Sequence, residues 1–142
     1  MNDTQMRRLV KELKLFQGLE QEDVIKIVSK GLTQRVVKGE VLFHEGTSGN
    51  QMYVVLGGKI GIFKKQDLIA TLHVGDMFGE MALVSQEVRS ASAVAMEDSY
   101  LFVLSETIFH KLMTKRVSIQ ILMNIVHTLS TRLREMNAKL AH

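Results

Sequence analysis

Gly75-Asp76-Met77-Phe78-Gly79-Glu80-Met81-Ala82-Leu83-Val84-Ser85-Gln86-Glu87-Val88-Arg89-Ser90-Ala91-Ser92-Ala93 is the stretch around which the chain is organised. Gly75 and Gly79 bracket a turn, and residues 81–84 are apolar enough for one helical turn directly after the carboxylate of Glu80. A glycine ahead of a helical turn lets backbone N–H groups point outward at an anion. Arg89, nine residues after Glu80, adds a planar fork that matches phosphate oxygens two at a time. The small residues from Ser90 to Ala93 allow the backbone to approach the same anion. Glu80 is the odd member, because a carboxylate repels an anion. An ionised Glu only accepts hydrogen bonds, so its natural partner is a neutral donor such as a sugar hydroxyl. Phosphate and ribose in one compact site describe a nucleotide. One arginine and one helix end, with no lysine and no metal carboxylates in the stretch, suit a single negative charge. A cyclic monophosphate meets that condition better than a di- or triphosphate. The competing reading is a strand-turn-strand whose surface Arg89 pairs with Glu80.

Phe78-Gly79-Glu80-Met81-Ala82-Leu83 and then Arg89-Ser90-Ala91-Ser92 resemble the phosphate-binding cassette of cyclic-nucleotide-binding domains. That family is found in catabolite activators, in regulatory subunits of cyclic-AMP-dependent kinase and in gated channels. Two separated blocks at the family's spacing make the match specific, whereas a lone Gly-x-x-x-Gly would carry little. Gly39-Glu40-Val41-Leu42-Phe43, Glu45-Gly46, Tyr53-Val54-Val55 and Gly58 resemble the family's β-roll, so the likeness runs over roughly residues 16–137. It implies a ligand, cAMP favoured and cGMP possible, and it implies roles. Arg89 pairs with the cyclic phosphate. Backbone N–H groups near Gly79, Ala82 and Ala91 hold the same group, and Met81 belongs to the same turn. Glu80 accepts from the ribose 2′-hydroxyl. Ser90 offers a hydroxyl to the phosphate or to a syn guanine. Met136 and Asn137 fall about where the family's tail helix meets the base. Asn137 can serve either purine, since an amide both donates and accepts. The other reading of Asn137 is a surface amide.

Outward from the cassette, glycine divides the chain. All ten glycines lie between Gly18 and Gly79, and there is no proline. Turns in the middle therefore rest on Gly, Asn and Asp, and the glycine-free tail is free to be helical. The fold expected is α+β: an antiparallel β-roll, or jelly roll, with N-terminal helices, a short cassette helix and two C-terminal helices. One domain over residues 1–142 divides into a helical lead (1–31), a β-roll (33–104) carrying the cassette (75–93), and C-terminal helices (105–142). In the lead, residues 4–14 read as a helix with an apolar stripe of Met6, Leu9, Val10 and Leu13. Arg7, Arg8, Lys11 and Lys14 lie off it as a solvated face, or as a surface for acidic partners. Residues 20–30 read as a second helix, stopped by Gly31. Residues 34–37, 41–44, 52–56, 59–63, 68–74, 91–96 and 100–104 read as strands, with Gly57-Gly58 as a two-residue hairpin between the third and fourth. The spacing suits an antiparallel barrel or sandwich.

Ser105 reads as the N-cap of a short helix carrying Ile108, Phe109, Leu112 and Met113. Residues 114–116 break it, and a last helix runs over about 117–140. Ile119, Leu122, Val126, Leu129, Leu133, Met136 and Leu140 form a heptad seam on that helix, with Ile121 and Ile125 as a second apolar edge. One edge for the barrel and one for a partner predict a homodimer through this helix. The plainer reading packs the seam on the barrel.

Composition excludes several classes. A net charge of +3 is too mild to argue for nucleic acid, and no residues are left after the last helix for a DNA-reading helix-turn-helix. There is no cysteine, hence no disulfide framework and no thiol nucleophile. Residues 1–10 are not a signal peptide, and no apolar run approaches the ~18 residues of a membrane span, so the cytoplasm is the expected compartment. The β-rolls that hold catalytic metals need paired histidines. His44, His73, His110, His127 and His142 include no i, i+2 pair that could converge on a metal. No catalytic triad or paired carboxylates stand out, so no enzyme activity, metal or cofactor is expected. Two functions of different class follow: a cyclic-nucleotide sensor whose tail helices close over the base, and a ligand-free β-roll serving as a dimerisation or protein-interaction module.

Overall fold

A computed structural model of the chain describes residues 12–85, 87–112 and 114–140. The helix expected over 4–14 lies, up to residue 11, outside them. A 3-10 turn, Lys14–Phe16, precedes helix α1, Gln21–Lys30. Eight strands then make two antiparallel four-stranded sheets. Strands β1 (Leu32–Val36), β8 (Ser99–Ser105), β3 (Gln51–Gly57) and β6 (Met77–Phe78) lie side by side in that order. The second sheet orders β2 (Val41–Phe43), β7 (Ser92–Ala95), β4 (Ile60–Lys64) and β5 (Asp67–Leu72). The α+β reading with an antiparallel roll is what is found.

Strands β3 and β8 explain the layering. Successive side chains of a strand point to opposite faces, and both of these strands are apolar on both. Met52, Val54 and Leu56 with Phe102 and Leu104 pack toward the helices, among Leu15, Phe16, Ile27, Phe109, Ile121 and Ile125. Tyr53 and Val55 with Leu101 and Val103 pack toward the second sheet, among Ile60, Phe78, Ala93 and Ala95. Two cores thus share one central sheet, and only a covered face on each side removes that much apolar surface from water.

One local expectation is corrected, one is met by a different geometry, and one strand is added. Gly57-Gly58 does not close a hairpin. β3 pairs with β6 and β8, while β4 pairs with β5 and β7, so the two glycines carry the chain from one sheet to the other. Gly58 takes a left-handed φ of 89° with its Cα against Ser99, whose Oγ accepts the Lys59 N–H at 3.1 Å. The tight hairpin is β4–β5, where Lys64 faces Asp67 and Lys65 has φ 57°. Second, Gly31 ends α1 as expected, its N–H on Ile27 O, but at a φ of −78° and not in a left-handed turn. Glycine is needed there for space, because a Cβ would overlap the ring of buried Phe102. Third, β6 was not foreseen. Its two residues sit inside the cassette and pair with Tyr53 and Val54.

The tail begins as expected. The Ser105 hydroxyl accepts from the Ile108 N–H at 3.2 Å, and a short π-type turn follows over Ile108–Leu112. The Thr114 hydroxyl accepts from the Val117 N–H at 3.3 Å and starts helix α2, Lys115–Leu140. Thr114 is thus the cap of the long helix. Val117, Ile121 and Ile125 enter the core, and the Asn124 amide donates to the carbonyls of Leu15 and Gln17 at 2.7 and 2.8 Å, tying α2 to the 3-10 turn.

Replacing Gly31 by Ala forces a methyl against a ring that is 1% exposed, and overpacking of this kind costs about 1–3 kcal/mol. Urea unfolding should show a lower midpoint with an unchanged slope. A midpoint equal to the parent's would mean that the Phe102 ring yields freely.

Candidate functional site

The cassette starts with Gly79 at φ 72°, after which Glu80–Leu83 form one 3-10 turn. Ten residues on, Arg89 is buried at 9% exposure. Its backbone is held by the loop between β2 and β3: Arg89 N–H donates to Thr47 O and Gly46 N–H to Arg89 O, both at 2.8 Å. Its guanidinium donates from Nη1 to Gly79 O at 3.1 Å and from Nη2 to Gln51 O at 2.7 Å. The group lies 4.2 Å over the Phe43 ring, a cation–π contact, and Phe43 packs in turn on Tyr53 and Phe78. Two glycines make the room. A Cβ at Gly49 would overlap the guanidinium, and one at Gly79 would stand 2.8 Å from Nη1.

What Arg89 lacks is equally definite. Among the described residues it has no carboxylate partner, and its Nε–H is buried without an acceptor. Burial pulls the Arg89 pKa down, and Tyr53 and Glu80 push back. The surface pairing of Arg89 with Glu80 is therefore not found. Glu80, 6% exposed, instead accepts from Arg132 Nη1 at 3.2 Å, while Arg132 Nη2 donates to Met77 O at 2.6 Å. Arg132 comes from α2 and was not singled out from the sequence. The available signal was indirect: a carboxylate inside an apolar run needs a cation when buried.

Around these groups lies a cleft of about 320 Å³, near the lower end of ligand pockets. Gly79, Glu80, Met81, Ala82, Arg89, Ser90 and Ala91 all line it, as does Arg132, and Ile62, Ala70 and Leu72 add an apolar part to the lining. Seven of the eight residues expected at the site are brought together. Asn137 is not: it is exposed on α2 and does not line the cleft. The arrangement offers a buried cation with a spare donor, an acceptor for a hydroxyl and an apolar wall suited to a flat ring.

A second layer supports the leg that carries Arg89. The Glu45 carboxylate accepts the Lys65 N–H at 2.9 Å and lies 3.5 Å from Lys64 Nζ. Lys64 Nζ donates to Ser90 O at 3.0 Å, and the Glu45 N–H donates to Ser92 Oγ at 2.8 Å. The hydrogen bond from the Lys65 N–H is the largest effect and holds the Glu45 carboxyl below the usual glutamate range; burial opposes it, and the Lys64 charge and hydrogen bond and the Lys65 charge add smaller downward pulls.

Comparison with known proteins agrees with this geometry. The family model of the cyclic nucleotide-binding domain matches residues 33–116. The cyclic AMP receptor protein of Thermus thermophilus is 34% identical over 131 residues, which is 89% of this chain and 60% of that protein. Human cGMP-dependent protein kinase 2 is 30% identical over 102 residues, 68% of this chain and 13% of the kinase. The crystal structure of Thermus thermophilus catabolite activator protein superposes with a TM-score of 0.78 at 33% identity, over 90% of this chain and 62% of that one. The chain thus spans less than two thirds of each of these proteins. It belongs to the cyclic nucleotide-binding domain family.

The Glu45 contacts predict a pH dependence. A carboxyl whose folded pKa is depressed contributes stability above its unfolded value and loses it as pH falls through the folded value. The parent should therefore lose stability below about pH 4.3 more steeply than Glu45→Gln. Urea midpoints across that range test this, and parallel curves for the two proteins would refute it.

Proposed function

We propose that this member of the cyclic nucleotide-binding domain family is one regulatory sensor unit that binds a cyclic nucleotide monophosphate, cAMP in first place and cGMP in second. The observation that carries the reading is Arg89, a buried cation that among the described residues has no carboxylate partner and keeps a buried Nε–H without an acceptor. Burying an unpaired charge is costly, and an anion in the cleft offsets that cost. The cyclic phosphate sits on Arg89, helped by N–H groups of the turn at Gly79 and Met81, by the Ser90 hydroxyl and by Ala91, while the Ala82 N–H, which donates to Gly79 O at 3.2 Å, shapes the turn. Glu80 accepts from the ribose 2′-hydroxyl beside Arg132. The base lies on Ile62, Ala70 and Leu72, an apolar wall that makes no distinction between purines. Preference for cAMP rests on similarity to the cyclic AMP receptor protein, and Ser90 is the group through which a guanine would be read.

Ligand binding closes α2 over the base. Arg132 already links α2 to the ribose acceptor, and Asn137 reaches the base only if α2 moves or a second copy supplies it. The seam on α2 is the homodimer contact through Ile119, Val126, Leu133, Met136 and Leu140, which are 57–80% exposed, whereas its Leu122 and Leu129 pack on the chain's own core. That exposure also favours a second reading, in which the seam is the working surface and the cleft is idle. No helix among the described residues is long and apolar enough to cross a membrane. A sensor of a cyclic-nucleotide messenger works in the cytoplasm, without catalysis of its own.

Calorimetry separates the readings. The parent should bind cAMP, and Arg89→Ala should lose about 1.5–3 kcal/mol, or one to two decades in affinity. Glu80→Ala should be coupled to removal of the ligand's 2′-hydroxyl in a double cycle. A folded Arg89→Ala protein with parental affinity, or a parent that binds neither nucleotide, overturns the sensor reading.

For the seam, Leu133→Asp should give a monomer. Lid and dimer contact on one helix must be coupled reciprocally, so that variant should also bind nucleotide more weakly. Sedimentation equilibrium with and without nucleotide tests both. A parent that is monomeric at tens of micromolar in either state removes the dimer, and unchanged nucleotide binding by a monomeric variant removes the coupling.

A further inference from the structure

We propose that Lys64, outside the cleft, is a positioning residue of the anion site, acting through the peptide unit between Ser90 and Ala91. The inference rests on reading the cleft as a cyclic-phosphate site. Its starting point is a lysine on the β4–β5 hairpin whose Nζ donates to a main-chain carbonyl of the cassette at 3.0 Å. The pair it makes with Glu45 is an exposed one, 55% and 31% for the two side chains, and exposed pairs of this kind add little to global stability. Its effect is to be sought locally.

The local geometry is specific. The cassette leg is pinned on both sides of this carbonyl. Before it, both backbone groups of Arg89 are held by Gly46 and Thr47. After it, the Ser92 hydroxyl is held by the Glu45 N–H at 2.8 Å. Between these anchors, Lys64 holds Ser90 O. The Ser90 C=O and the Ala91 N–H belong to one planar peptide group. No cis peptide occurs among the described residues, so the two bonds point in opposite directions. Lys64 does not line the cleft, whereas Ala91 does. Drawing the carbonyl outward to Lys64 turns the Ala91 N–H inward, toward the space beside Arg89. A cation on the carbonyl oxygen also polarises the peptide and strengthens that N–H as a donor. Glu45 completes the device. Its carboxylate accepts the Lys65 N–H at 2.9 Å and faces Lys64 Nζ at 3.5 Å, which keeps the lysine over the carbonyl instead of in solvent. Lys64 thus supplies the cleft with a directed N–H instead of with its own charge.

Two explanations of any effect of Lys64 predict opposite signs at Glu45. If Lys64 acts only as a nearby positive charge, Glu45→Gln removes a negative charge from the neighbourhood and raises anion affinity. If Lys64 acts through the peptide, Glu45→Gln releases it and lowers affinity. Titrations of the full chain with cAMP and with adenosine, which lacks the phosphate, should therefore show a threefold to tenfold loss of cAMP affinity in both Lys64→Gln and Glu45→Gln, about the step from a charge-assisted to a neutral hydrogen bond. Adenosine affinity should be unchanged, which a general loosening of the cleft would not spare. A second measurement needs no ligand: in the free protein, the Ala91 amide resonance should move and its hydrogen exchange should quicken in both variants, with Lys64→Arg restoring it. Tighter cAMP binding by Glu45→Gln, parental affinity in Lys64→Gln, or an Ala91 amide unaffected by either change overturns the proposal. If the parent binds no cyclic nucleotide, the sensor reading falls, and the Ala91 amide still decides whether Lys64 sets this peptide.

Discussion

The burial of one guanidinium governs the architecture around the cleft. Arg89 is almost out of water, and a cation in that position must be surrounded by dipoles and ring faces if it is not to be paired. The chain supplies them from separate places: carbonyls at Gly79 and Gln51, the face of Phe43, and backbone contacts at Gly46 and Thr47. These lie far apart in sequence. They meet because β2, β3 and the cassette converge at one end of the roll, and because Gly49 and Gly79 carry no side chain. The outcome is a fixed guanidinium that lines the cleft and keeps one buried N–H without an acceptor.

The two cores keep that end of the roll in place. Strand β3 sends Met52, Val54 and Leu56 to one core and Tyr53 and Val55 to the other. A shift of one residue in its register would exchange every one of these contacts. The same strand provides the Gln51 carbonyl for Arg89 and the pairing for β6, so the register that fills the cores also sets the site.

Helix α2 divides its surface among three duties. Val117, Ile121 and Ile125 close the helical core. Ile119, Met123, Val126, Leu133 and Met136 face outward, each more than half exposed. Between these stripes, Arg132 reaches across to Glu80 and to the Met77 carbonyl. One helix thus touches the core, the cleft and an open apolar face.

Much of this was legible in the chain itself. Short apolar runs between glycine, Asn and Asp turns marked the strands, the glycine-free tail marked a long helix, and the spacing from Gly79 and Glu80 to Arg89 marked the cassette, because each of these is a local property of the chain. Spacing also separated a heptad seam from a second edge at Ile121 and Ile125, but the fold divides the seam itself: Leu122 and Leu129 join the core beside Ile121 and Ile125, and Ile119, Val126, Leu133, Met136 and Leu140 stay exposed. Other features depended on pairing between distant segments, which no local pattern encodes. Gly57-Gly58 reads as a hairpin until both edges of β3 are seen to be hydrogen-bonded, to β6 and to β8. Gly31 reads as a left-handed stop until Phe102 lies against it. Arg132 is an ordinary polar position on a helix until the fold places Glu80 beside it, and Asn137 falls outside the cleft because α2 presents it to solvent. The sequence by itself determined the elements and the chemistry of the cassette, since both rest on residues close along the chain. The tertiary structure alone decided which partners the charged groups meet, since burial and electrostatic pairing depend on distances in space.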